Sequence, residues 1–192
     1  MFNHVHRTAP KLGSLLSSTK ELVIGNGSGP TTPCGSGRCD TCPLVTNTDT
    51  IPYKGKDVES KHGSCISRNI IYFVTCLLCL KGYVGKTVTC LRTRVNGHRA
   101  LYYRVIVDPI DTVLDNLSKN KYKNDLSLGY HLHKEHNCTN RDDFNKFFRF
   151  TIIQHCGPSS LDVTEHKWIH RLKTLEPGGI NSVNPFGIPL IR

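Results

Sequence analysis

Two short apolar runs in this chain stand close enough together to pair as a hairpin. Ile70-Ile71-Tyr72-Phe73-Val74 is β-branched and aromatic, the composition of a buried strand. Cys76-x2-Cys79 and Gly82 make the turn, and Tyr83-Val84-Gly85 begins the second strand. Phe147-Phe148-Arg149-Phe150-Thr151-Ile152-Ile153 reads as a third strand. Between them, Leu91 and Val95 mark the inner face of a helix that Thr87 would cap, with Arg94 and His98 one turn apart on another side. Residues 130–136 read as a short helix. A last helix opens at Ser159 or Ser160 and ends at Pro177-Gly178-Gly179.

A chain of 192 residues is long enough for one core and an appendage rather than two full domains. Ahead of the hairpin, a helix-like piece over residues 11–22 leads into Gly25-Asn26-Gly27-Ser28-Gly29-Pro30, a flexible linker by composition. A cysteine-rich knot follows, Cys34-x4-Cys39-x2-Cys42-Pro43, and then a polar stretch to Cys65. Residues 108–128 are polar and rich in Lys and Asn, as a loop-bearing insertion would be. There is no internal repeat. The divisions expected are a flexible segment over 1–30, a cysteine-rich linker over 31–67 and a main domain over 68–192.

The net charge of +10, with an isoelectric point near 9.3, favours a polyanionic partner, though many basic proteins bind nothing acidic. No run of eighteen apolar residues exists to span a membrane. The N-terminus lacks the apolar core of a secretory signal. Its first twenty residues are basic, contain Ser and lack Asp and Glu, which faintly resembles an organellar transit peptide. In a chain without a secretory signal, nine cysteines point to metal ligands or free thiols more than to disulfides, and an odd count leaves at least one unpaired.

The last helix carries a stripe of Leu161, Trp168, Leu172 and Leu175, and Glu165 falls in its middle. A carboxylate directed at a core is costly unless a cation or strong hydrogen bonds compensate it. Two fates are open: a metal-binding role, or a place at the rim paired with a lysine or arginine.

These features together resemble the GIY-YIG nuclease family. In that family two tyrosines on neighbouring strands and an arginine on the next helix surround one phosphodiester. Tyr72 and Tyr83 match the tyrosines, and Arg94 with His98 matches the helix. Glu165, three residues before Trp168-Ile169, matches the metal-binding glutamate, and Asn181 matches a C-terminal asparagine that helps shape the site. The resemblance implies a mixed α/β (α+β) fold, a three-stranded, mostly antiparallel sheet flanked by helices. It implies Tyr72 as base or base-assistant toward water, Tyr83 orienting that water, and Arg94 holding phosphate oxygens. His98 would share proton transfer or phosphate contact, and Glu165 would bind Mg²⁺ or Mn²⁺. The sequence departs from the family at Ile70, where the first motif carries glycine. It also has one residue more than the commonest spacing between Gly85 and Arg94, which makes Arg92 a competitor for the arginine role.

The cysteines narrow the resemblance to the endonuclease end of Penelope-like retroelements. There a cysteine pair between the two motifs joins a downstream histidine pair in a zinc site. The matching residues are Cys76, Cys79, His131 and His136, with His133 as the alternative histidine. Cys34, Cys39, Cys42 and Cys65 are candidates for a second, all-thiolate zinc site, while Cys90, Cys138 and Cys156 read as reduced, buried thiols. The implied activity is metal-dependent nicking of DNA, with no small-molecule substrate and no membrane. The implied place is the nucleus, with an organelle as the alternative. No reverse-transcriptase motif is present, so such a domain is an expected partner in a parent element, and the chain reads as a C-terminal fragment or a free-standing derivative. The competing reading is a decayed element whose zinc knots and basic surface still bind nucleic acid.

Overall fold

The computed structural model describes residues 27–108 and 127–181. In chain order the strands are β1 (Thr31–Thr32), β2 (Thr50–Tyr53), β3 (Lys56–Glu59), β4 (Gly63–Ser64), β5 (Ile70–Cys76), β6 (Gly82–Thr87) and β7 (Phe148–His155). The helices are α1 (Leu91–Val107), α2 (Ser127–His136), α3 (Asp143–Phe147) and α4 (Leu161–Leu172). The architecture is mixed α/β, with small sheets and four helices among the described residues.

The expected hairpin is the middle of the molecule. An antiparallel sheet runs β6-β5-β7, with Tyr72 opposite Gly85 on one side and Ile152 on the other. Because alternate strand residues face opposite ways, β5 divides the core in two. Ile70, Tyr72, Val74 and Cys76 pack with Leu91, Val95 and Tyr102 of α1, Leu128 and Leu132 of α2, and Phe144 of α3. Ile71 and Phe73 pack with Val84, Ile153, and Leu161 and Ile169 of α4. Each such side chain taken fully out of water stabilises the fold by about 1.5–3 kcal/mol.

The cysteine-rich segment is part of this core. Cys39, Leu44, Val45 and Cys65 are buried with Phe150 and Ile152. It also covers the outer edge of β7: Phe150 O accepts from Thr46 N, Ile152 O accepts from Lys61 N, and Ile152 N donates to Thr31 Oγ1. An edge that would otherwise present unpaired backbone groups is thereby closed. Even the glycine-rich linker is pinned over its described part, where Gly29 N donates to Ser60 O and Gly27 O accepts from His62 N.

Several local expectations need correction. The polar stretch before Cys65 holds a hairpin, β2–β3, whose two-residue turn Lys54-Gly55 has positive φ at both positions, 50° and 73°. This turn geometry twists with the strands, but Lys at its first position gives no sequence signal. Thr87 does not cap α1. It ends β6 and its Oγ1 accepts from Thr89 N, while Cys90 stands at the cap position. Ser160 stands at the cap position of α4, but its hydroxyl donates to Gly157 O rather than capping the helix. The helix stops at Leu172, short of Pro177-Gly178-Gly179, through a left-handed turn at Lys173 (φ 51°, ψ 51°), where glycine is the usual residue. α2 begins three residues earlier than expected, and the third strand extends to His155. The helix-like piece at 11–22 and most of the 108–128 insertion lie outside the described residues.

Candidate functional site

Two groups of cysteine and histidine converge, and both are sets named in the sequence, one through the resemblance and one as four candidate cysteines. Cys34, Cys39, Cys42 and Cys65 form one; Cys76, Cys79, His131 and His136 form the other, and within each group all ligand atoms lie within 4.8 Å of one another. A tetrahedral zinc with sulfur at about 2.3 Å and nitrogen at about 2.0–2.1 Å sets S···S near 3.8 Å, S···N near 3.5 Å and N···N near 3.3 Å. The separations observed are 3.6 Å for Cys34–Cys42 and 3.7 Å for Cys42–Cys65. In the second group they are 3.6 Å for Cys76–His136, 3.3 Å for Cys79–His131 and 3.2 Å for His131–His136. Both donor sets therefore fit zinc in identity and in edge length. His133, the alternative histidine, is not in the converging group; its Nδ1 lies 3.3 Å from Cys138 O.

Burial acts on the two ligand types in opposite senses. Burial, reinforced by His136, lowers the pKa of His131 to about 4, which keeps it neutral and able to ligate. Burial raises Cys76 to about 11. In the all-cysteine group, burial opposes ionisation of Cys39, but hydrogen bonds from the Thr41 backbone and from Cys34 and Cys42 outweigh it and lower its pKa to about 7. Cys42 and Cys65 are instead pushed up, chiefly by burial. Thiols this close surrender protons one at a time. A bound dication removes that obstacle.

The turns supply the geometry. Cys42 N donates to Cys39 O, closing the first Cys-x2-Cys, and Leu80 N donates to Cys76 O at the second, with Leu80 in a left-handed conformation. α2 brings its histidines to that turn by lying close on α1. A side chain at Gly129 would sit 2.9 Å from Tyr102 Cα, so only glycine permits the approach.

A third cluster gathers around Tyr72, on the β5 face that α1 covers. Its hydroxyl lies 2.7 Å from His98 Nε2 and accepts from Arg94 Nε at 3.0 Å. A hydroxyl that accepts from the guanidinium can direct its own proton to His98 if that ring is the Nδ1–H tautomer. The Tyr83 ring is 6.4 Å from the Tyr72 ring and 5.8 Å from that of His98. Gly85 makes room, since a Cβ there would come within 2.5 Å of the Tyr72 oxygen. Tyr72, Tyr83 and His98 are buried, and Arg94 is half-buried over them. Arg92 plays a different part: its backbone N–H donates to Cys65 O, and its side chain lies about 200° around the helix from that of Arg94.

Glu165 faces the sheet from α4, on the opposite face from the tyrosines, because Val84 and Lys86 alternate with Tyr83 and Gly85 along β6. A common face for Glu165 and the tyrosines, which one site around a single phosphodiester would suggest, is thus not what the sheet provides. Lys86 Nζ lies 2.7 Å from Glu165 Oε2 and also pairs with Asp162. Burial raises the Glu165 pKa despite Lys86 and the field of Arg94. Burial opposes the Lys86 charge, but its bonds to Asp162 and Glu165 prevail and raise its pKa. Lys86 is the residue that sequence reasoning left unnamed. Its alternation with Gly85 placed it on the α4 face, but nothing in the sequence selected it among the lysines.

Asn181 stands at the outer edge of β6. Its Oδ1 accepts from Val84 N at 2.9 Å and its Nδ2 donates to Val84 O at 2.8 Å. The side-chain amide imitates a neighbouring strand, so Asn181 holds β6 at Val84. Comparisons with protein-family models, curated proteins and solved structures find no match to this chain.

Proposed function

We propose that the chain is a divalent-metal-dependent DNA endonuclease of the GIY-YIG type, a strand-nicking enzyme related to those of Penelope-like retroelements, built around two structural zinc ions. The observation that carries the reading is the Tyr72 hydroxyl held at once by Arg94 and His98 over a glycine. A buried tyrosine kept only for packing needs one partner for its hydroxyl, not a guanidinium and an imidazole together. Both partners come from one helix, four residues apart, as shared service to one reacting group would require.

In this reading a phosphate draws the half-buried Arg94 outward, so that the guanidinium stabilises charge developing on the phosphate oxygens. The Tyr72 oxygen is then uncovered toward a water, with His98 positioned to accept the proton that passes through it. Tyr83 borders the same space and orients the water. Glu165 Oε2 is committed to Lys86, which leaves Oε1 as the donor atom for Mg²⁺ or Mn²⁺. One carboxylate fits such an ion, which keeps most of its shell in water and phosphate oxygen. When bound, the ion would neutralise charge on the phosphate and on the departing oxygen. Lys86 places a second positive charge beside it.

The Lys86–Glu165 pair also favours the second reading, a nucleic-acid-binding module without cleavage, because the lysine already compensates the buried carboxylate. Nicking of supercoiled plasmid by the zinc-loaded protein separates the two. Mg²⁺-dependent relaxation that disappears in Tyr72→Phe and in Glu165→Gln is the expected result. A wild-type protein that binds DNA and never nicks it would establish the non-catalytic module.

A further inference from the structure

The charge of this chain is unevenly placed. From residue 60 to residue 107 there is no Asp or Glu, while Lys61, Arg68, Lys81, Lys86, Arg92, Arg94, Arg99 and Arg104 supply eight positive charges of a net +10. That span contains the central hairpin and the whole of α1. Within it, one patch combines free cations with exposed apolar side chains. The segments 64–70 and 87–92 run side by side, bracketed by the Ile70–Thr87 strand pair and by the bond from Leu91 N to Ser67 O. Arg68 and Val88 lie between those two contacts, and Ile66 and Arg92 lie just beyond the second, where Arg92 N donates to Cys65 O.

Ile66 and Val88 are 59% and 58% exposed, among the most exposed large apolar residues described. Arg68 is exposed and Arg92 half-buried, and among the described residues neither forms an ion pair. Burial works against ionisation of the neighbouring Cys90 thiol, yet Thr93, Arg68 and Arg92 outweigh it and lower its pKa, which places both guanidinium groups near one spot. The turn that presents Ile66 is held in shape: Ser64 N donates to Ser67 Oγ, Ser67 N to Ser64 O, and Arg92 N to Cys65 O. The first backbone donors of α1 are therefore spent on carbonyls, and an anion arriving here must be met by side chains.

We propose that Ile66, Arg68, Val88 and Arg92 form the docking surface for the DNA strand that enters the Tyr72 cluster. Arg68 and Arg92 bind backbone phosphates, and Ile66 and Val88 lie against the deoxyribose faces between them. Along the chain the patch lies next to the cluster, with Ile70 two residues before Tyr72 and Arg92 two before Arg94 on the other side of α1, so a strand held there would have to pass around that helix end to reach Tyr72. The surface rests on the endonuclease reading only for its connection to cleavage. The binding itself follows from charge and shape.

The test is fluorescence anisotropy of a labelled DNA duplex with the zinc-loaded full chain and no added Mg²⁺. Arg68→Ala/Arg92→Ala should weaken binding about tenfold or more and flatten the salt dependence by about two units of slope, one per lost phosphate contact. Ile66→Ser/Val88→Ser should weaken binding severalfold and leave the slope unchanged, as apolar contacts release no counterions. Lys134→Ala/Lys167→Ala removes the same charge elsewhere on the surface and should do far less. An equal loss in that control, or wild-type affinity and slope in the arginine variant, would overturn the proposal. Loss of binding in the patch variants with no nicking by wild type would leave the docking surface standing and remove the endonuclease. Nicking at wild-type rates by patch variants that bind normally would do the reverse.

Discussion

The two faces of the central sheet are built by different means. On the face of Ile70, Tyr72, Val74 and Cys76, two cysteine and histidine groups flank the packed aromatics and tie distant segments together. One joins Cys34, Cys39, Cys42 and Cys65, and also grips α1, because Cys65 O accepts from Arg92 N and Asp40 O accepts from the buried Arg99 side chain. The other joins the β5–β6 turn to α2 across 52 residues between Cys79 and His131. The face of Ile71 and Phe73 has no such tie among the described residues. It is held by apolar packing against α4 and by the ion pairs of Lys86 with Asp162 and Glu165. The cluster of Tyr72 with Arg94 and His98 sits on the tied face. Coordination can hold a helix in register where a small core cannot, because a metal bond contributes folding free energy directly.

The largest effect expected is on the tied face. Cys76→Ser removes a ligand from a fully buried position, and the zinc content should fall from two per chain to one. Stability should drop by several kcal/mol, enough to leave the protein unfolded or molten at 37 °C. Metal analysis with thermal denaturation checks both. A folded Cys76→Ser protein with unchanged metal content would break the contrast between the faces.

Next comes Tyr72→Phe. It should lower nicking by about a thousandfold, or about 4 kcal/mol of barrier, with DNA affinity unchanged. Arg94→Ala should likewise harm cleavage far more than binding, while Arg92→Ala should harm binding. If Arg92→Ala abolishes cleavage and Arg94→Ala does not, the assignment of this helix fails.

Asn181→Ala probes the edge where the faces meet. It strips partners from both backbone groups of Val84, and urea unfolding should show a loss of about 2–4 kcal/mol. A neutral result would mean that β6 does not depend on that clasp.

The smallest effect belongs to the packed face. Burial raises the Glu165 pKa, so the folded protein holds that proton more tightly than the unfolded chain. Stability should then decline as pH rises from the ordinary 4.5 through the raised value. Glu165→Gln should erase that decline and otherwise change stability by about 1 kcal/mol or less, with Asp162 still pairing Lys86. A pH profile identical to wild type would show that the Lys86 partnership, not burial, governs this carboxylate.

What could be read in advance was whatever depends on local spacing. A β-branched run beside Cys-x2-Cys and Tyr-Val-Gly specifies a hairpin, because strand period and turn chemistry are short-range. Cys39-x2-Cys42 and Cys76-x2-Cys79 announce metal chelation for the same reason, as does the pairing of Arg94 with His98 one helical turn on. Other features were decided by the tertiary structure alone. Lys86 as the partner of Glu165, Asn181 as a strand mimic on Val84 and the N-terminal segment as the cover for β7 all join groups far apart in sequence. So does the division of Glu165 and Tyr72 between opposite faces. Those pairings form where desolvation of a charge or an open strand edge must be compensated, and what is available there depends on how the whole chain has packed.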